Sequence, residues 1–426
     1  MSTYSIGSRT LFIDAQHSQG AVAISMALLA FLLGVGLGWA GWGEGRAPAL
    51  AAMLPLVVAL SRTRAQAFMV AAGYSVGVLR EVPAFISSWF DGDLRIGAGA
   101  LLAYALIGGV TWCLGFSRSP KPWRGALAVC IGWTVALLPP VTIGIAGHPV
   151  IAWGTLAPGW GWVGVALSVA VPAALVYLLR AYRTAARYQA ALLVALAALL
   201  ATVGLLRDES HSSYAGSAVG VTTQWGKTSG KIDDVLDRVS SMGAMAKTLA
   251  AESRVTTVLW PESIVGEYNP ALYPVLNIEL LKPARASGQT HIVGMDLPLK
   301  DKRFENAAVA FYPDGRSSRV VARQPAPVSL WRPWDPVGSF TADWQGVNVL
   351  ALGGGLRGAV IFCYEEYLPA LYLINEARDD FEVYVAMTNT WAAESELASL
   401  IQTKHSLGMA RLFGRPYLKA ENRPAL

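Results

Sequence analysis

Between residues 21 and 206 the chain is a succession of apolar runs separated by short charged gaps, at 21–41, 47–60, 67–90, 97–116, 125–146, 161–179 and 188–206. From Arg207 onward charges return at ordinary density, and the pattern changes to alternating helical and strand periodicity. Residues 217–225 predict a strand. Residues 232–251 predict a helix with Leu236, Val239, Met242, Met245 and Leu249 on one face. A β-branched strand at 255–260 ends in Pro261-Glu262, a helix follows at 272–286, and 291–297 predicts the next strand. Strands at 306–312 and 319–323 flank Pro313-Asp314-Gly315-Arg316, a sequence with hairpin-turn chemistry. Strand 358–362 ends at Cys363, strand 382–388 ends near Asn389, and 393–413 is helical. Such alternation implies a layered α/β domain over 207–426, preceded by a helical region over 1–206.

The first run is 21 unbroken apolar residues, and at about 1.5 Å per helical residue it spans roughly 30 Å of hydrocarbon. It exceeds the apolar core of a cleaved leader, and more runs follow, so the expectation is about seven membrane-spanning helices. The third run carries Arg80 and Glu81 side by side with Pro83 after them. An ionisable pair is costly in hydrocarbon, so the helix either breaks there or lines an interior cavity. Arg62 and Arg64 follow the second run, Arg118, Lys121 and Arg124 the fourth, and Arg180, Arg183 and Arg187 the sixth. These are alternate loops. If they face the cytoplasm, an odd number of crossings puts everything after residue 206 on the external side, the periplasm in a bacterium.

Composition agrees with that division, because 54% hydrophobic and 15% charged residues is a charged share well below the usual value of about 25%. The net charge of +5 sits largely in the inter-run gaps, so it argues for membrane orientation and against nucleic-acid binding. Three cysteines cannot form a disulfide framework, and Cys113 and Cys130 lie inside apolar runs as small hydrophobes. Five scattered histidines give no cluster at metal-ligand spacing, so neither a metal nor another cofactor is implied.

Two residues carry chemistry. Glu262 and Cys363 each directly follow an apolar strand, and in α/β sheets polar groups at strand ends converge on one crevice. A cysteine attacks a carbonyl as its thiolate, so it needs a base and a cation or amide donors for the oxyanion. Glu262 is the candidate base. The alternative from spacing alone is a buried structural cysteine and a solvated glutamate.

Trp260-Pro261-Glu262-Ser263, Phe362-Cys363-Tyr364-Glu365 and Thr388-Asn389-Thr390-Trp391 resemble the motif series of the nitrilase superfamily of carbon–nitrogen hydrolases. The similarity is greatest to its apolipoprotein N-acyltransferase branch, in which a multi-span bundle precedes a periplasmic αββα sandwich. The length and the Pro- and Trp-rich segment 322–334 resemble still more the conjugal-transfer proteins of rhizobial and agrobacterial plasmids. The resemblance implies Glu262 as general base and Cys363 as the nucleophile that becomes a thioester. It implies Tyr364, Glu365, Asn389 and Trp391 as pocket residues. The family lysine falls at Arg323, which keeps the charge but not the compact ammonium. A family glutamate expected after it is absent from Pro327-Val328-Ser329-Leu330-Trp331-Arg332. A final family hairpin is also expected after 414–422, but the chain stops at Leu426, and lack of that hairpin would leave one sheet edge thinner or exposed.

Three functions are compatible with these readings. One is an acyltransferase or amidase acting through a Cys363 thioester, with membrane lipid, a phospholipid or a lipidated or amide substrate as partner. Another is a catalytically inactive scaffold that docks other conjugation proteins in the inner membrane. A transporter is the third, with only Arg80 and Glu81 as intramembrane charge.

Overall fold

The computed structural model describes residues 7–43, 45–182, 184–207, 216–252 and 254–425. Arg183, one of the loop charges used for orientation, lies outside them. Four helices are long and apolar enough to cross a membrane, by length and composition: Ala21–Gly41, Leu94–Gly115, Gly161–Ala181 and Ala186–Arg207. Arg64–Val78 and Val82–Trp89 make a fifth if taken as one span with a 60° bend. The bend falls at Arg80 and Glu81. There the Arg80 guanidinium donates to Gly77 O at 2.8 Å and Trp42 O at 2.7 Å, and Pro83 starts a new helix because its ring cannot continue the old one. Runs 47–60 and 125–146 do not form full-length helices. Pro48 and Pro55 divide the first into Pro48–Met53 and Leu54–Ala59. The second stops at Leu137, ahead of Pro139-Pro140, after a helix of 16 residues, Pro122–Leu137.

The α/β part is built on ten short strands among the described residues. They are β1 (Ala218–Gly220), β2 (Thr222–Thr223), β3 (Thr257–Leu259), β4 (Thr290–Pro298), β5 (Phe304–Phe311), β6 (Ser317–Val321), β7 (Val349–Ala351), β8 (Arg357–Phe362), β9 (Val383–Asn389) and β10 (Tyr417–Asn422). One sheet runs β1-β3-β4-β5-β6 and the other β2-β10-β9-β8-β7. The expected hairpin is β5–β6, antiparallel with Ala307 opposite Val321 and Phe311 opposite Ser317.

Strand periodicity explains the layers, since successive side chains point to opposite faces. Leu259, Ile292, Val360, Phe362, Val385 and Met387 fill the space between the sheets. Their neighbours Val258, Val293 and Met295 face the helix Ile232–Ala250 on the outside of the first sheet. Ala359, Ile361, Tyr384 and Ala386 face the outside of the second sheet. This is an αββα sandwich. One outer layer is shared with the helical region: Trp42, Tyr74 and Ile151 belong to the same core as Ala386, Leu407 and Ala410. Helix Leu397–Phe413 makes the join. His405 stacks on Trp42 at 3.9 Å and accepts the Gly147 backbone N–H at 2.9 Å.

The predicted strand 217–225 is split between the sheets, with Val221 between β1 and β2. As a result the outer edge of β10 is paired at Glu421 and Asn422 with Thr222 and Thr223. The edge expected to be thin is covered there.

Candidate active site

Glu262 follows β3 in a tight turn that lies against β4. Gly294 permits this: a Cβ there would stand 2.6 Å from Glu262 Cα, too close for any side chain. Ser263 takes the left-handed conformation at φ 47 and donates to Asp296 Oδ1 at 2.5 Å, which offsets part of the strain. The Glu262 carboxylate is 4% exposed and accepts a hydrogen bond from Asn306 Nδ2.

Cys363 opens the turn Cys363–Tyr367 directly after β8. Its thiol lines the same cavity as Glu262, with Asn389 O at 3.9 Å and Gln402 Nε2 at 3.6 Å from Sγ. Asn389, at the end of β9, also holds the other wall, because its Nδ2 donates to Glu262 O at 3.0 Å. Three strand ends, β3, β8 and β9, thus converge on one cavity of about 190 Å³.

Burial pushes the Glu262 carboxyl from its ordinary 4.5 up to about 8, opposed by the Asn306 hydrogen bond and reinforced by Asp296. Asp296, also buried, is held up at about 6. Burial pushes the Cys363 thiol well above its ordinary range, and the Glu262 charge adds to that. The resting pair therefore carries a neutral thiol beside a carboxyl that is largely protonated at neutral pH.

The remaining sequence candidates divide between the cavity and its frame. Tyr364, Asn389 and Trp391 line the cavity. The Tyr364 hydroxyl reaches out of the α/β domain, donates to Ile143 O and accepts from Tyr104 at 3.3 Å. Glu365 is not on the cavity wall. Fully buried, it accepts from Phe362 N at 2.9 Å and Gln324 N at 2.8 Å, tying β8 to the segment after β6. Burial raises it to about 7.

Arg323 is the main departure. Its guanidinium, also fully buried, donates to Gly346 O at 2.8 Å and to Asn375 Oδ1, and pairs with Asp379 at 3.2 Å. It does not line the cavity. β6 ends at Val321 and the chain bends at 323–324, and it is Gln324 that lines the cavity, fixed by Trp344 Nε1 at 3.1 Å. The convergence of Arg323 with Glu262 and Cys363 that the motif register implied is thus replaced by a structural ion pair.

Asn306, Gln402, Asp296 and Lys227 were not evident from the sequence. Asn306 and Asp296 sit inside strand runs, and Gln402 and Lys227 come from elements remote in sequence from the motifs. The helical region also contributes, through Phe85 and Trp89 on Val82–Trp89, with Trp89 4.9 Å from Trp391. A second, smaller cavity of about 70 Å³ also reaches Cys363, between Leu79, Val82, Ile86, Ile145 and Tyr367. No group of acidic, histidine and cysteine residues suited to a metal occurs among the described residues.

No family model matches the chain. A protein of Sinorhizobium fredii described as a probable conjugal transfer protein TraB is 28% identical over 399 residues, 91% of this chain and 95% of its own length. The conjugal transfer protein TraB of Agrobacterium fabrum is 28% identical over 430 residues, 92% of each. The chain resembles conjugal-transfer TraB proteins throughout. Among solved structures, an amidase of the nitrilase superfamily from Nesterenkonia matches at 15% identity with TM-score 0.36, covering 49% of this chain and 77% of that one. A carbon–nitrogen hydrolase from Helicobacter pylori matches at 14% identity with TM-score 0.36, covering 48% and 73%.

Proposed function

We propose that this chain is a membrane-anchored acyltransferase or amidase serving plasmid conjugation, working through a thioester on Cys363. One observation carries the reading: the Cys363 thiol and the buried Glu262 carboxyl line one cavity where three strand ends meet. In the reaction, ionised Glu262 takes the thiol proton as sulfur bonds to the acyl carbonyl carbon. The tetrahedral oxyanion then collapses, expelling an alcohol or amine that receives the proton back from Glu262. An acceptor amine or water next attacks the thioester, Glu262 takes its proton, and the thiol is regenerated. The apolar cavity between the helices and Cys363 suits the acyl chain of a lipid or lipidated substrate arriving from the membrane.

The apolar spans support an inner-membrane protein, and five crossings from a cytoplasmic amino terminus would put its α/β domain in the periplasm. A scaffold for other transfer proteins is the second reading, favoured by the engagement of Arg323 in a structural ion pair. A donor strain carrying Cys363→Ala at normal protein level separates the two. The enzyme reading expects transfer frequency to fall by two or more orders of magnitude, roughly the contribution of an essential nucleophile or base. Wild-type frequency in that strain would reject it and leave the scaffold.

A further inference from the structure

The chemistry proposed above moves negative charge from Glu262 through sulfur onto a carbonyl oxygen, in a cavity whose walls also include Asp296. Without a positive group both steps are opposed by like charge as well as by burial. Arg323 is committed to Gly346, Asn375 and Asp379. Among the described residues lining the cavity, Lys227 is the one cationic side chain.

Its location is fixed by more than proximity. Lys227 follows Gly226, whose left-handed backbone at φ 62 turns the chain toward the cavity. The Gly226 carbonyl accepts from Asn422 Nδ2 at 2.9 Å, and its N–H donates to Arg423 O at 3.0 Å. Asn422 Nδ2 is also 3.0 Å from Asn389 Oδ1, and Asn389 in turn holds the Glu262 carbonyl. The base of the Lys227 side chain is therefore pinned, through two asparagines, to the wall that carries the reacting pair. Its ammonium end lies over the Trp391 ring, 5.0 Å from the centroid, a cation–π seat weaker than a buried ion pair and readily exchanged for a stronger anionic partner. A lysine stem has the length and freedom to make that exchange.

We infer that Lys227 is the cation of this site: parked over Trp391 at rest, it moves to the Cys363 thiolate and then donates a hydrogen bond to the oxyanion, keeping its own proton. This rests on the thioester reading above. The test uses the full-length protein in detergent, in a Cys113→Ser, Cys130→Ser background. It measures the pH profile of Cys363 alkylation by iodoacetamide and the rate of acylation by p-nitrophenyl acetate. Lys227→Met is expected to move the alkylation midpoint up by about one pH unit and to slow acylation by roughly a hundred- to a thousand-fold. Lys227→Arg is expected to restore the midpoint. Lys227 is exposed, so its replacement leaves the fold in place. A Lys227→Met protein with the wild-type midpoint and an acylation rate within about twofold of wild type would overturn the assignment of Lys227 while leaving the thioester reading standing. A wild-type protein that p-nitrophenyl acetate does not acylate would overturn both.

Discussion

Glu262 can accept a proton only when ionised, and with its carboxyl at about 8 roughly a tenth of the molecules are competent at pH 7. The acylation rate of Cys363 is accordingly expected to rise with pH and level off above about 8, which a stopped-flow profile with an activated ester checks. The same displacement has a consequence for stability. An unfolded chain releases this proton near 4.5 and the folded protein keeps it until about 8. Native stability is therefore lost as pH climbs through that window. Glu262→Gln removes the ionisation, so its Tm advantage over wild type is expected to grow between about pH 5 and about pH 8, and a constant difference would contradict the assignment. Arg323→Ala leaves Asp379 buried without its partner and is expected to cost about 3–5 kcal/mol in denaturant unfolding. Arg323→Lys, unable to reproduce the fork to Gly346 and Asn375, should recover only part of that. The sequence register alone could not distinguish Arg323 from Gln324 as the cavity residue, because the strand expected over 319–323 ends at Val321 and the chain bends where these two residues lie.

At the scale of elements, the parts legible in the sequence are those whose pattern is local. The apolar runs 358–362 and 382–388 match β8 and β9, the Pro-Asp-Gly-Arg turn matches the β5–β6 connection, and the motif residues Glu262 and Cys363 stand just past strands as their apolar runs implied. What was not legible depends on partners distant in sequence. Helix Leu397–Phe413 docks on the helical region through His405 and touches the reacting thiol one turn earlier through Gln402. Helix Val82–Trp89 forms walls of both cavities around Cys363. Hydropathy registered that second helix only as the end of a longer apolar run. Ile86 lines the smaller cavity and is 7% exposed, so Ile86→Trp should fill the path to the helices. Acylation of Cys363 by a long-chain p-nitrophenyl ester is then expected to fall by at least about tenfold, while that by the acetate ester is retained. Equal loss with both esters would place the acyl chain elsewhere.

Across the whole molecule, if the candidate spans cross a membrane, the number of crossings decides which side the α/β domain occupies. Four full-length helices return the chain to its starting side, whereas five, with the bent pair as one crossing, deliver it to the other. With five crossings Arg62 and Arg64, and Arg118, Lys121 and Arg124, fall on the domain's own side, so the alternation read from seven runs no longer assigns it and a reporter decides. An alkaline phosphatase fused after residue 207 is expected to be active, and a cytoplasmic reporter at the same place inactive; the reverse would put the domain in the cytoplasm. Apolar runs were a good guide to the location of helices and a poor one to their length, because Pro48, Pro55 and the Pro139-Pro140 pair interrupt segments whose hydropathy is continuous. The central claim, that Cys363 is a nucleophile activated by Glu262, is tested most directly by intact-mass measurement of the full-length protein after exposure to a p-nitrophenyl ester. One acyl group is expected on wild type, mapping to Cys363, and none at that site in Cys363→Ala or Glu262→Gln. Wild-type protein that remains unmodified from about pH 6 to about pH 9 would contradict it.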